Sequence, residues 1–277
     1  MKKGVLVLLA FVFFSVVLFY FASAVNIAAC TSLDSGGVYT LTQNVFSTNT
    51  CMNITASNVT LNCNGFTIKY GINGASDVYG VNVTGPLLNA TIKNCTIAGN
   101  TSAGTSSHNI YLAFVNNSLI ENNKINTTNS NGATGIYLHN SSMNNITMNN
   151  LSFGAAGDDD IGIFLQSSDY NNITGNNLSS PVFSYGLWIN SSGNNIFAGN
   201  SILFYGGSTS PLGVSIFNST NNTLFDNKIV MTGVDGATGI YLLNSKNNTL
   251  SYNNVSLAST GTGSNAAVYL NLNSTNN

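Results

Sequence analysis

This 277-residue chain has no arginine, and only 6% of its residues are charged. Beyond Lys2 and Lys3 its cations are Lys69, Lys93, Lys124, Lys228 and Lys246, each standing alone in the sequence. A nucleic-acid partner is excluded, because holding phosphates takes clustered lysine and arginine. Histidine is almost absent: His108 sits in a polar, serine-rich stretch and His139 follows an apolar run. As isolated residues both are expected on the surface or in turns. No metal site is expected either. Copper would need His, Met or Cys ligands gathered together, and Met52, Met143, Met148 and Met231 do not cluster with a histidine in sequence. Only stacking of distant segments could unite them.

Asparagine is what the chain has in excess, at 47 residues. The heptapeptide GATGIYL occurs at residues 132–138 and again at 236–242, 104 residues apart. It belongs to a longer series, "GVNV", "NIYL", "GIYL", "GIFL", "GLWI", "GVSI", "GIYL" and "AVYL". That series places an aliphatic residue at Val81, Ile110, Ile136, Ile163, Leu187, Val214, Ile240 and Val268. A second element, as in "NNITGNNL" and "NNTLFDNKI", puts Cys95, Asn123, Asn149, Asn176, Asn200, Asn227 and Asn253 in step with it. Both series advance by 24 to 29 residues, so the unit is a structural repeat of about 26 residues, and 104 is four of them. Short alternations of apolar and polar residues between Gly, Asn and Ser are strand and turn chemistry rather than helical periodicity. One unit cannot bury its own apolar face, but stacked copies share a core. The expected fold is all-β, a single-stranded right-handed parallel β-helix of about 8 coils with three short strands in each. Asn upon Asn at a turn then forms an amide ladder, since the side chain both donates and accepts. A leucine-rich horseshoe is the rival, but its regular Leu-x-x-Leu-x-Leu spacing is missing.

The amino terminus reads as an export signal: two lysines, an apolar run at 4–21 broken only by Ser15, and Ala22-Ser23-Ala24 as a cleavage site. An uncleaved membrane anchor is the second reading, given the length of the run. Either way the remainder lies outside the cytoplasm, extracellular or at the cell surface, touching membrane only through residues 1–24. Cys30, Cys51, Cys63 and Cys95, an even number in an exported chain, suggest two disulfides. Three connectivities exist, and the order of the segments favours Cys30 with Cys51 and Cys63 with Cys95. A lipoprotein attachment at Cys30 is a weaker competitor. The expected organisation is a signal or anchor at 1–24, a disulfide-containing cap and first coil at 25–68, and the β-helix at 69–277. The last repeat stops without a polar cap, so further coils or another chain are expected at that end.

If the aliphatic pair of each "GIYL" points inward, the residue between them points outward. That outward column is Tyr111, Tyr137, Phe164, Trp188, Ser215, Tyr241 and Tyr269, an aromatic stripe about 30 Å long at roughly 4.8 Å per coil. Flat rings at regular spacing suit the apolar faces of sugars, so a polysaccharide or surface glycan is the candidate partner. The competing explanation is that aromatics favour strands and stack on one another. Nineteen Asn-x-Ser/Thr sequons add glycosylation as an expectation at sites such as Asn126 and Asn190.

The "S-x-x-N-N-x-I-x-x-N-x-I" stretches resemble the parallel β-helix repeats of the pectin-lyase-like superfamily. The 30–68 segment is similar to the opening coil of exported right-handed β-helix surface proteins. The resemblance implies the fold but leaves the activity open, since that superfamily spans polysaccharide lyases, glycoside hydrolases, epimerases, adhesins and NosD-type copper proteins. Its lyases imply an arginine base, which this chain lacks. For a hydrolase the nearest match is "GDDDIGIFL", making Asp158, Asp159 and Asp160 weak catalytic candidates. No second carboxylate cluster or Arg-Ile-Lys motif accompanies them, and a solvated turn or incidental cation site is the plainer reading. No cofactor is expected beyond calcium at such a site. The resulting expectation is an exported, non-catalytic β-helix that binds glycan or serves as a scaffold or adhesin, with a lyase or hydrolase as the alternative.

Overall fold

The computed structural model describes residues 24–99, 106–127, 132–153, 160–181, 184–206, 210–258 and 263–277. Among these, every regular element is a strand, and all the strands belong to three parallel sheets of ten, nine and ten strands. One coil shows the plan. Asn145–Thr147 lies in the first sheet, Asn150–Phe153 in the second and Asp160–Gln166 in the third, and the chain then climbs to the next coil. From Val81 to Val268 the third sheet takes seven steps in register, so the regular stack has seven turns of about 27 residues. The repeat read from the sequence is therefore the coil itself.

The alternation within each strand sets which side chains fill the interior. Ile120, Ile146, Ile173, Phe197 and Leu224 stack along the first sheet, all buried. Ile97, Ile125, Leu151, Leu178, Ile202 and Ile229 do the same along the second. Each such side chain contributes roughly 1.5–3 kcal/mol on burial, and parallel strands of three to five residues hold position only because every coil repeats the pattern.

The turns carry two asparagine ladders. Asn123, Asn149, Asn176, Asn200, Asn227 and Asn253 form the first, each Nδ2 donating to the next Oδ1 at 2.9–3.0 Å. Asn144, Asn171, Asn195, Asn222, Asn248 and Asn277 form the second, at 3.0–3.1 Å. The same Oδ1 atoms also accept a backbone amide, as in Asn149 N to Asn176 Oδ1 at 3.0 Å. Each Nδ2 also donates to a carbonyl of an earlier coil, as Asn176 does to Ile146 O at 2.9 Å. Buried amides survive here because all their polar atoms are used.

The ladder column begins covalently. Cys95 accepts its place in the stack by donating its backbone amide to Asn123 Oδ1 at 3.0 Å, and its sulfur bonds Cys63. Cys30 and Cys51 form the other disulfide, directly before the paired strands Thr31–Leu33 and Met52–Ile54. The favoured connectivity is the one present. The first coils belong to the same stack, since Val25–Ile27 already pairs with Gly37–Leu41 in the first sheet. The signal or anchor expectation falls almost wholly on residues 1–23, outside the described residues. No helix among the described residues is long and apolar enough to cross a membrane.

The recurrence of GATGIYL has a steric cause. A Cβ on Gly135 would lie 2.6 Å from the carbonyl oxygen of Gly162, directly above it, and Gly162, Gly186 and Gly213 meet the next coil equally closely. Ala133 and Ala237, two residues before Gly135 and Gly239, are fully buried. Space between coils thus calls for glycine at this position of the repeat.

Candidate functional site

The outward face of the third sheet presents three parallel columns of side chains. The central column is the one expected from the sequence: Tyr111, Tyr137, Phe164, Trp188, Ser215, Tyr241 and Tyr269 in register. Its rings do not stand free. Only Tyr269 is exposed, at 48%, whereas Tyr111, Tyr137, Phe164, Trp188 and Tyr241 are half-buried. The rings lie on one another: Tyr111 to Tyr137 at 5.2 Å, Tyr137 to Phe164 at 4.7 Å, Phe164 to Trp188 at 5.2 Å and Tyr241 to Tyr269 at 5.6 Å between centroids. Tyr137 with Phe164 and Tyr241 with Tyr269 are nearly parallel, at 16° and 7°. Stacking of this kind turns ring faces toward neighbours and ring edges toward solvent.

Three rings join the column that sequence spacing did not place there. Tyr79 stacks on Tyr111 at 5.0 Å, and Tyr185 packs on Trp188 at 4.5 Å. Phe217 leans from the adjacent column into the gap at Ser215, touching Trp188 at 5.7 Å and Tyr241 at 5.4 Å. The available signal was that Phe217 stands two residues after Ser215 and so on the same face of the strand. At this break, ring planes cross at 50° and 59° instead of stacking. Ser215 Oγ and Trp188 Nε1 are buried with no hydrogen-bond partner among the described residues. The two residues are register neighbours on adjacent coils.

The third sheet carries no lysine on any of its strands. Burial raises the phenol pKa of Tyr79 and Tyr111 and pushes that of Tyr137 up to about 12, with Tyr111 and Tyr79 adding to the last effect. Asp77 also raises Tyr79. Tyr137 Oη donates to Gln166 Oε1 and lies 3.3 Å from His139 Nδ1, so a polar edge runs beside the rings.

Two sequence expectations are corrected. His108 is not in a surface turn: it opens the strand His108–Asn116, is 9% exposed, and packs against Tyr79, Tyr111 and Tyr137. Its Nδ1 accepts the Thr134 amide at 3.2 Å, and burial pushes its pKa down to about 4, so the ring is neutral. Asp160 is not in a solvated turn either. It starts the strand Asp160–Gln166, fully buried, and its Oδ1 accepts the Ala133 amide of the preceding coil at 3.1 Å. Its carboxylate holds one coil to the next. Asp158 and Asp159 lie outside the described residues. Asn126 and Asn190, the named sequons, are half-buried on their sheets. A polar groove of about 270 Å³ beside Asp169 offers little more, because Asp169 Oδ1 already takes the Gly193 amide at 2.6 Å.

The sequence matches the family described as "Periplasmic copper-binding protein (NosD)" over residues 32–204 and that described as "Right handed beta helix region" over residues 134–277. The chain belongs to these families. The handedness expected from the repeat is thereby settled, and the NosD family is a periplasmic one. No curated protein matches the chain in sequence. Among solved structures it is similar to the enzymatically active domain of tailspike protein 2 of bacteriophage CBA120, with TM-score 0.52 and 13% identity over 91% of this chain and 42% of that one. The full-length tailspike protein 2 gives TM-score 0.53 and 12% identity over 90% and 38%. DFA-IIIase of Arthrobacter chlorophenolicus A6 gives TM-score 0.45 and 12% identity over 85% and 68%. The chain thus spans about two fifths of the tailspike chains, and the likeness is one of fold.

The family name raises copper, and the donors of this chain do not fit it. All four cysteines are in disulfides. Met52 and Met231 are buried in the core, whereas Met143 and Met148 are exposed in turns. His108 and His139 stand in different columns with Tyr137 between them, its ring 5.1 Å from the first and 6.1 Å from the second. No group of three His, Cys, Asp or Glu residues able to hold a metal occurs among the described residues. Soft ligands that are oxidised, buried or isolated do not make a copper site.

Proposed function

We propose that the protein is exported and works outside the cytoplasm as a non-catalytic β-helix that binds a glycan along the aromatic face of its third sheet. The observation that carries this reading is the row of eight rings from Tyr79 to Tyr269, joined by Phe217 across the gap at Ser215, on a sheet without lysine. A long row of rings on one face suits an extended, hydroxyl-rich chain better than a compact ligand. The commitment of the Asp160 carboxylate to the Ala133 amide supports a role without turnover, because a general acid or base must reach substrate.

The parallel stacking of Tyr137 on Phe164 and of Tyr241 on Tyr269 favours a second reading, an extracellular scaffold in which the rings only bind each other. Retention of the protein on a panel of immobilised polysaccharides separates the two. Glycan binding predicts saturable retention on at least one of them, with no reducing ends or unsaturated products released. Retention on none leaves the scaffold, and released products would establish the enzyme alternative.

A further inference from the structure

We infer that the break at Ser215 is a plugged slot for one sugar ring, and that the chain entering it is a neutral glycan rather than an acidic one. The inference rests on the glycan-binding reading above and specifies its ligand class and its point of entry.

Trp188 and Tyr241 stand two coils apart on the same column, with Ser215 between them. The space that a ring at position 215 would fill is instead occupied by Phe217, whose backbone belongs to the neighbouring column, in register with Asn190 and Leu243. Phe217 is half-buried and crosses its neighbours at 50° and 59°, tilted as Tyr111 is on Tyr137 at 51° and unlike the near-parallel pairs Tyr137 with Phe164 and Tyr241 with Tyr269. Rotating it outward removes two tilted ring contacts and breaks no hydrogen bond.

The two residues that meet at the slot, Trp188 and Ser215, each carry a buried polar atom without a partner among the described residues. Trp188 Nε1 is a donor only, and Ser215 Oγ both donates and accepts. Both are buried without partners among the described residues, in a protein whose ladder amides are fully paired. A flat apolar ligand would leave these atoms orphaned, as Phe217 does. A pyranose ring meets both demands, with apolar C–H faces toward Trp188 and Tyr241 and hydroxyls toward Nε1 and Oγ.

Charge decides the class of sugar. A uronate chain would bring one carboxylate per residue to a face with no lysine and, in this chain, no arginine. The segment leading into the next strand adds one negative charge, Asp235, three residues before Thr238–Leu243, its Oδ1 accepting the Gly236 and Gly263 amides. Unpaired like charges at a binding face disfavour the wrong partner. A neutral hexose or pentose chain meets no such penalty.

Trp188 is the only tryptophan, so its fluorescence reports this slot alone. The full-length protein is titrated with cellohexaose, mannohexaose and xylohexaose as neutral probes and with hexagalacturonate as the acidic one. The expected result is a saturable change with a neutral probe and at least tenfold weaker binding of hexagalacturonate. Removing the plug with Phe217→Ala tightens neutral binding about tenfold if the slot is open one part in ten in the parent. Ser215→Phe, which restores the ring found at this position in neighbouring coils, abolishes it while leaving the stack intact. Hexagalacturonate binding as tightly as the neutral probes overturns the neutral assignment and spares the glycan-binding reading. Neutral binding that ignores both substitutions overturns the slot alone. Silence toward all four probes overturns the slot and its neutral ligand, and the glycan-binding reading then stands or falls by retention on the polysaccharide panel.

Discussion

The first asparagine ladder and the aromatic column are both one-residue-per-coil stacks running the length of the same solenoid, yet they are built to opposite standards. The ladder from Asn123 to Asn253 is uniform, buried up to Asn227 and half-buried at Asn253, and hydrogen-bonded along its length. The column from Tyr111 to Tyr269 changes residue type, tilts its rings, skips one at Ser215 and strands two polar atoms. Stacking in the ladders is governed by satisfaction of polar groups, although outside them the fully buried Asn109 also leaves its Oδ1 without a partner among the described residues. The column breaks that rule at Trp188 and Ser215, and this irregularity is where recognition can be placed.

The sharpest way to break the comparison is Asn176→Ala. It removes the acceptor of Asn149 N and Nδ2 and the donors to Ile146 O and Asn200 Oδ1. Several buried groups lose their partners at once, so a loss of about 3–5 kcal/mol is expected in denaturant unfolding. A loss below about 1 kcal/mol would show that the turn relaxes or admits water.

On the aromatic face the largest effect is one of pH. His108 has a native pKa of about 4, below the ordinary value of 6.5. Between those two values the unfolded chain takes up a proton that the native ring refuses, so stability falls as the pH drops through this window. The loss reaches about 3 kcal/mol by pH 4 and is absent above pH 7. The phenols of Tyr79, Tyr111 and Tyr137, with raised pKa values, stay neutral throughout. Unfolding curves of His108→Asn compared with the parent from pH 7 to pH 4 should isolate this contribution, and parallel profiles would refute it.

The smallest effect is the most telling for the contrast. Ser215→Ala deletes a buried hydroxyl that has no partner, so stability should stay unchanged or rise by up to about 1 kcal/mol. Removing a polar group from the ladder harms the fold, whereas removing one from the column should not. A melting temperature lowered by several degrees would mean that Ser215 Oγ is engaged in solution.

Much of this was legible in the residues. The steps between Val81 and Val268 are the steps of the third sheet, and the Asn series beginning at Cys95 is the first ladder, with the cysteine as its covalent opening rung. The second ladder at Asn144, Asn171, Asn195, Asn222 and Asn248 hid inside the doubled "NN" of each repeat, where sequence cannot say which of two adjacent amides turns inward. His108 was misplaced because a serine-rich context suggests a turn, whereas coil stacking set the ring among three tyrosines. Asp160 was misplaced for a similar reason, since its partner is the Ala133 amide of the preceding coil.

The amino-acid sequence by itself determined the coil, its period, the inward aliphatic rows and one asparagine ladder, because all of these recur at the period of the coil and each copy faces its own equivalent; the order of the segments favoured the disulfide pairing that is present. Tertiary structure alone decided how far the aromatic rings are buried, which ring fills the gap at Ser215, and which polar atoms are left without partners. Those outcomes depend on side chains leaning between neighbouring columns and coils, and no one-dimensional period encodes a lean.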